Sequence, residues 1–331
     1  MRYRSVSTKL FPISILLGAF LFLVLASRAS AQQLLPTIPR NVLQCSPPES
    51  ASQTGLPPCD LRQMEHAAKK GKPYQQNQLG IALLFSSTSA AGLNDAHKWL
   101  EKAARRGYAP AQINLAILYI CGWGTPQNYG TALYWLNSAA EERNAGAYTN
   151  LGILFLTGRG VHQDYAEALR YFRLAAEDGD TTAMDNVGYM NDEGLATPVD
   201  HQAAAEWYRR AAEQGDALGQ SNLGDLYLRG LGVPQNDVFA LDLFRKASAQ
   251  GNTTSQIKLG FMLATGRATP KDRESAYAWI LAASLAGDNR GQEYLDYLKS
   301  RLTPDQLSRA IDRAHSLQPP RSPRFAAVVA P

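Results

Sequence analysis

The stretch Ala147-Tyr148-Thr149-Asn150-Leu151-Gly152, continued by Gly158-Arg159-Gly160-Val161-His162-Gln163-Asp164-Tyr165 and then by Ala168 through Ala175-Ala176 to Gly179, decides the fold. Its landmarks return at a constant spacing of 36 residues, which is the mark of a repeat architecture. The pair Leu151-Gly152 recurs as Leu79-Gly80, Leu115-Ala116, Val187-Gly188, Leu223-Gly224 and Leu259-Gly260. A second row keeps the same register: Trp99-Leu100, Trp135-Leu136, Tyr171-Phe172, Trp207-Tyr208, Leu243-Phe244 and Trp279-Ile280. A small pair follows each of these, from Ala103-Ala104 to Ala283-Ser284.

Within one copy, apolar residues fall three and four apart (Leu151, Leu154, Phe155; then Ala168, Tyr171, Phe172, Ala175, Ala176), which is helical spacing without period-2 alternation. Gly158-Arg159-Gly160, Gly122-Trp123-Gly124 and Gly230-Leu231-Gly232 end a first helix with residues that accept positive φ. Asn128, Asp164, Asp200, Asn236 and Asp272 open a second helix with side chains suited to capping its free amides. Gly107, Gly179, Gly215, Gly251 and Gly287 close it. The spacing therefore predicts an all-α chain, an α-solenoid of six 36-residue helix-turn-helix repeats at 73–108, 109–144, 145–180, 181–216, 217–252 and 253–288. One pair cannot bury its apolar stripe, so stacking is obligatory.

These motifs resemble the Sel1-like repeat family of the tetratricopeptide-like superfamily. The resemblance covers about 73–288; the first copy departs most, with Ser86-Ser87-Thr88-Ser89 in place of the glycine turn. It implies a protein-binding adaptor or regulator, with the first helices lining a concave face. On that face two rows are free of the repeat pattern, and they include Tyr148, Ile153, Met184, Tyr189, Asp225 and Phe261 as candidate partner contacts. The competing reading makes the row containing Ile153 plain inter-repeat core. The Asn row before each Leu-Gly reads first as a buried structural ladder and second as a clamp on a peptide backbone.

Outside the repeats, residues 1–31 combine Arg2, Arg4 and Lys9, an apolar run from Ile13 to Ala26, and Ala29-Ser30-Ala31, the anatomy of a secretory signal peptide. An uncleaved anchor is the alternative. Cleavage leaves a mature chain with 29 basic and 29 acidic side chains, which gives no support for a nucleic-acid partner, and no later segment is long and apolar enough for stable membrane insertion. Residues 32–60 read as a Pro/Ser-rich linker, 289–317 as capping helices opened at Thr303-Pro304-Asp305-Gln306, and 318–331 as a disordered tail. A periplasmic or secreted location follows, where Cys45 and Cys59 could form a disulfide and Cys121 reads as a free thiol.

No cofactor, metal or catalytic residue is expected, because His66, His97, His162, His201 and His315 are scattered. Ser255-Gln256-Ile257-Lys258 matches the Ser-x-x-Lys of penicillin-binding enzymes. Yet Ser255 holds a small-residue position of the repeat, and no Lys-Thr-Gly or Ser-Asp-Asn follows. Three functions stand in descending order: an envelope or signalling scaffold, a secreted factor binding a host protein, and a β-lactamase-like or cell-wall hydrolase.

Overall fold

A computed structural model describes residues 61–86 and 89–317. Among them the chain forms fifteen α-helices and no strands. A leading helix α1 (Leu61–Lys69) precedes six helix pairs. The pairs are α2 (Pro73–Ser86) with α3 (Ala90–Ala104), α4 (Ala109–Cys121) with α5 (Tyr129–Glu141), and α6 (Ala145–Thr157) with α7 (Tyr165–Glu177). They continue as α8 (Thr181–Asp192) with α9 (His201–Glu213), α10 (Ala217–Arg229) with α11 (Asp237–Ala249), and α12 (Thr253–Thr265) with α13 (Arg273–Leu285). A short 3-10 turn at Asn289–Gly291, then α14 (Gln292–Lys299) and α15 (Pro304–Ser316), close the array. Each second helix packs on its own first helix and on the first helix of the next repeat, so the α-solenoid expected from the 36-residue period is the fold observed.

The two periodic rows of the sequence turn out to be one packing device. A Cβ added at Gly152 would lie 2.7 Å from a ring carbon of Phe172, at Gly188 2.6 Å from Tyr208, and at Gly224 2.8 Å from Phe244. The missing side chain lets the large residue of the second helix lie flat on the first. Phe172, Tyr208 and Phe244 are in turn wholly buried. Burying an aromatic or aliphatic side chain of this size contributes about 1.5–3 kcal/mol. The exposed i,i+3 and i,i+4 ion pairs on the second helices, such as Arg170–Glu167, add little by comparison.

The turns are equally periodic. Gly158 (φ 67°) ends α6 in the left-handed region, its N–H donating to the Leu154 carbonyl, and Asp164 then caps α7 by accepting from the amides of Ala166 and Glu167. Gln163 Nε2 donates to the Leu156 carbonyl at 2.8 Å and Gln127 Nε2 to the Ile120 carbonyl at 2.6 Å, sealing the corner in two copies. Three non-glycine residues sit at positive φ where other copies have glycine: Arg143 (55°), Ala196 (69°) and Ala268 (58°). In the first copy, Ser89 caps α3 by accepting from the Gly92 amide.

At the C-terminal end, Thr303 and Gln306 form a reciprocal capping box at the start of α15. Arg309 pairs in bidentate fashion with Glu274, and Arg313 donates to Ser275 Oγ at 2.8 Å, fixing α15 on α13. No described helix is long and apolar enough to cross a membrane.

Candidate functional site

The first helices carry two rows of interest, and the structure separates them. The row Gln76, Gln112, Tyr148, Met184, Gln220, Gln256 serves the joints between repeats. In four copies the glutamine Nε2 donates to the carbonyl eight residues earlier: Gln76 to Ala68, Gln112 to Ala104, Gln220 to Ala212 and Gln256 to Ser248, at 3.3–3.5 Å. These carbonyls lie in the last turn of the preceding helix, where intrahelical donors run out, and each also accepts from the amide of the glycine that follows. Tyr148 replaces the amide with a phenol, its Oη donating to the Ala140 carbonyl at 3.2 Å. Met184 supplies no donor; it is 1% exposed, and Gln214 Nε2 contacts its sulfur instead.

The Asn row is interior too. Asn114 Nδ2 donates to Asn77 Oδ1 at 3.0 Å, while Asn150 and Asn186 donate to the carbonyls four residues back, Gly146 and Thr182. In these three copies the amide is engaged within the array rather than presented to solvent.

The remaining row is Ile81, Ile117, Ile153, Tyr189, Asp225 and Phe261. Ile153 and Tyr189 are 2% and 7% exposed, and burial beside Glu193, Tyr165 and Asp192 pushes the Tyr189 phenol up to about 12. The C-terminal end differs. Asp225 accepts from Lys258 Nζ of the next repeat at 2.7 Å and pairs with Arg229 at 3.3 Å, with about 30% of the Asp225 and Lys258 side chains still exposed. Burial alone would push the Asp225 carboxyl up, but Lys258 and Arg229 together hold it below the usual carboxylate range. One turn on, Phe261 tilts against Tyr294 with ring centroids 4.3 Å apart, and Tyr294 stacks on Tyr297 at 5.5 Å. Arg301 lies 5.4 Å over the outer face of this short stack.

Lys258, Arg229, Tyr294 and Tyr297 did not figure among the partner contacts expected from the sequence. Lys258 had a signal, since it breaks a row of amides. Tyr294 and Tyr297 lie beyond the last repeat, where no register exists to compare them with.

The Ser255-x-x-Lys258 motif is not assembled as chemistry. Ser255 is wholly buried and its hydroxyl has no hydrogen-bond partner, while Lys258 is engaged by Asp225. Among the described residues no group of His, Cys, Asp and Glu could hold a metal ion.

Cys121, at the C-terminus of α4, is disulfide-bonded and so is not the free thiol expected from the sequence. Cys45 and Cys59 lie outside the described residues.

The Sel1 repeat family matches six successive segments, residues 76–108, 109–144, 145–180, 181–216, 217–252 and 253–288. Among solved structures, a protective antigen present in uropathogenic Escherichia coli strains and displaying an SLR fold superposes with a TM-score of 0.62 at 30% identity, covering 78% of this chain and 56% of the antigen. A Sel1 repeat protein from Oxalobacter formigenes superposes with a TM-score of 0.61 at 28% identity, covering 69% of this chain and 100% of that one. The chain thus spans little more than half the length of the antigen. No curated protein matches it.

Proposed function

The chain belongs to the Sel1 repeat family, and we propose that it works as a non-enzymatic scaffold or adaptor, in the periplasm or after secretion, that holds a protein partner on the first-helix stripe of its last two repeats. Sel1 repeat proteins are generally scaffolds for protein interaction. The observation that carries the assignment to this end is the partly exposed network Asp225–Arg229–Lys258, one helical turn before the ring stack Phe261–Tyr294–Tyr297. Aromatic residues and arginine dominate binding energy at protein interfaces, and a paired charge network sets orientation. The partner segment would carry an apolar anchor for the rings and complementary charges for the network.

The compartment rests on two observations. Residues 1–31 have the pattern of a secretory signal, and the Cys121 disulfide suits an oxidising environment. The ligand is an envelope or signalling protein on this reading. A second reading, a secreted factor that meets a host protein, is favoured by the likeness to the E. coli protective antigen. Mature chain in the culture medium would choose the second, and mature chain retained in the envelope fraction the first.

The test is affinity capture of the mature protein from its own compartment beside a Phe261→Ala, Tyr297→Ala variant of unchanged helicity. A partner held by the wild type and lost by the variant supports the assignment. A partner retained by the variant moves the site elsewhere on the molecule.

A further inference from the structure

His97 is out of character for its place in the repeat. It lies on α3, and at the 36-residue period the same position holds Leu133, Leu169, Ala205, Leu241 and Tyr277. Leu169 and Leu241 are buried, so the fold uses this position as core. Nε2 of His97 is itself buried without a hydrogen-bond partner. The ring meets Tyr119 of α4 edge to face, with centroids 5.3 Å apart and planes at 84°. The imidazole is therefore part of the joint between repeats 1 and 2.

That geometry accepts a neutral ring and resists a charged one. A neutral imidazole can leave Nε2 bare, whereas an imidazolium carries a proton on both nitrogens, and at Nε2 that proton would meet neither water nor an acceptor. Little nearby offsets the cost. On α3, Glu101 favours the cation, but Arg105 pairs with it at 2.7 Å; Lys98 is paired with Asp95, and Lys102 lies over Trp99. From α4 the ring is faced by Tyr119, whose hydroxyl is engaged by Thr125 and whose phenol is pushed up by burial, while Cys121 is disulfide-bonded. The turn at 122–128, which meets α3 at Leu93, carries no charged side chain, and α2 contributes only the phenol of Tyr74, beside Tyr108. Burial outweighs Glu101 and holds the imidazole below its usual range.

We propose that His97 is an acid-sensitive latch, protonation of which loosens the first repeat from the second and leaves the later repeats packed. In a helical array each repeat holds only its neighbours, so one joint can open by itself. Repeat 1 is placed for this, with only α1 packed ahead of it among the described residues. The folded ring takes its proton at lower pH than the unfolded chain does. The stability of the joint is therefore complete above about pH 6.5 and falls as pH drops through that value. The joint between repeats 4 and 5 responds in the opposite sense, because burial and Asp216 there raise the pKa of Asp185 and acid favours its neutral form.

The test is hydrogen exchange of the mature protein from about pH 7.5 to about pH 5, expressed as protection so that the intrinsic pH dependence of exchange cancels, with His97 titrated by NMR in parallel. Protection in α2 and α3 should fall by up to about tenfold per pH unit below about pH 6.5, with α8 and α10 unaffected. His97→Leu installs the side chain that Leu133 and Leu169 place in the same row, and should abolish the fall. Glu101→Gln removes the carboxylate that favours the imidazolium, and should deepen it. A fall that persists in His97→Leu, a fall shared equally by all repeats, no fall down to about pH 5, or a His97 that titrates at or above about pH 6.5 would each overturn the proposal.

Discussion

Replacing Asp185 by Asn should make the protein more stable at neutral pH and remove part of its pH dependence. Asp185 lies inside α8, 3% exposed, with one carboxyl oxygen lacking any hydrogen-bond partner. Its surroundings are burial first, then the carboxylate of Asp216, which also shares a hydrogen bond with it, and then Asp180; every one of these raises its pKa, and the group stands well above the ordinary carboxylate range. No basic group among the described residues offsets them. The native state therefore holds the Asp185 proton to higher pH than the unfolded chain, which releases it at about pH 3.9. Above that value the unfolded state binds fewer protons, so stability falls as pH rises, by about 1.4 kcal/mol per unit for one proton, until the native group itself ionises. Asparagine is nearly isosteric and its amide N–H still donates to Asp216, so the variant loses the slope and keeps the contact. Urea unfolding of both proteins at half-unit steps from pH 4 to pH 8, with hydrogen exchange in α8 and α10 to localise the effect, gives the difference curve. A difference that grows with pH in favour of Asp185→Asn is expected. A flat difference would mean that Asp185 is ionised in the native protein and refute the reasoning.

Other substitutions test the joints and the turns. Ser255→Ala should leave stability unchanged or raise it by up to about 1 kcal/mol, because a buried hydroxyl without a partner is exchanged for the alanine that Ala147 and Ala183 place in the same row; partner capture should be intact. Ala196→Gly and Ala268→Gly, at φ 69° and 58°, should each stabilise by about 0.5–1 kcal/mol in thermal melts, relief of left-handed strain exceeding the added freedom of the unfolded chain. Gly160→Ala should destabilise by about 1–3 kcal/mol, since its φ is 75° and its Cβ would lie 2.2 Å from Tyr129 Cβ; melts that match the wild type would contradict the packing assigned to that turn.

The helix pairs were legible because their determinants are local and occur six times over. Leu151-Gly152 and Tyr171-Phe172 announce a close-packed pair, and the Asn and Asp caps announce where the second helix starts. The Gln76 row was read differently, as partner contacts, because a glutamine does not say what it bonds. Its acceptor, the carbonyl eight residues back, lies across a loop, and only the constant interval to the small pair hints at it. Tyr148 looked like an aromatic anchor for the same reason, whereas its hydroxyl does the work of the absent amide. Cys121 looked free because a disulfide is a statement about distance through space, and a row of mixed residues at the helix end carries none.

A repeat also supplies its own internal control for locating function. Some packed positions keep one kind of side chain in most copies, as at Gly152 facing Phe172. Three positions change character together towards the C-terminus. The aliphatic run Ile81, Ile117, Ile153 gives way to Tyr189, Asp225 and Phe261, the amide row ends in Lys258, and the helix-end row acquires Glu193 and Arg229. In space the departures at Asp225, Arg229 and Lys258 meet as one network, with Phe261 leading into the rings of the cap. Packing alone gives no reason for charges to appear there, because Ile117 and Ile153 show that the fold is satisfied by an aliphatic group at that position. A partly exposed ion network at a position that other copies fill with isoleucine is the departure on which the proposed partner site rests.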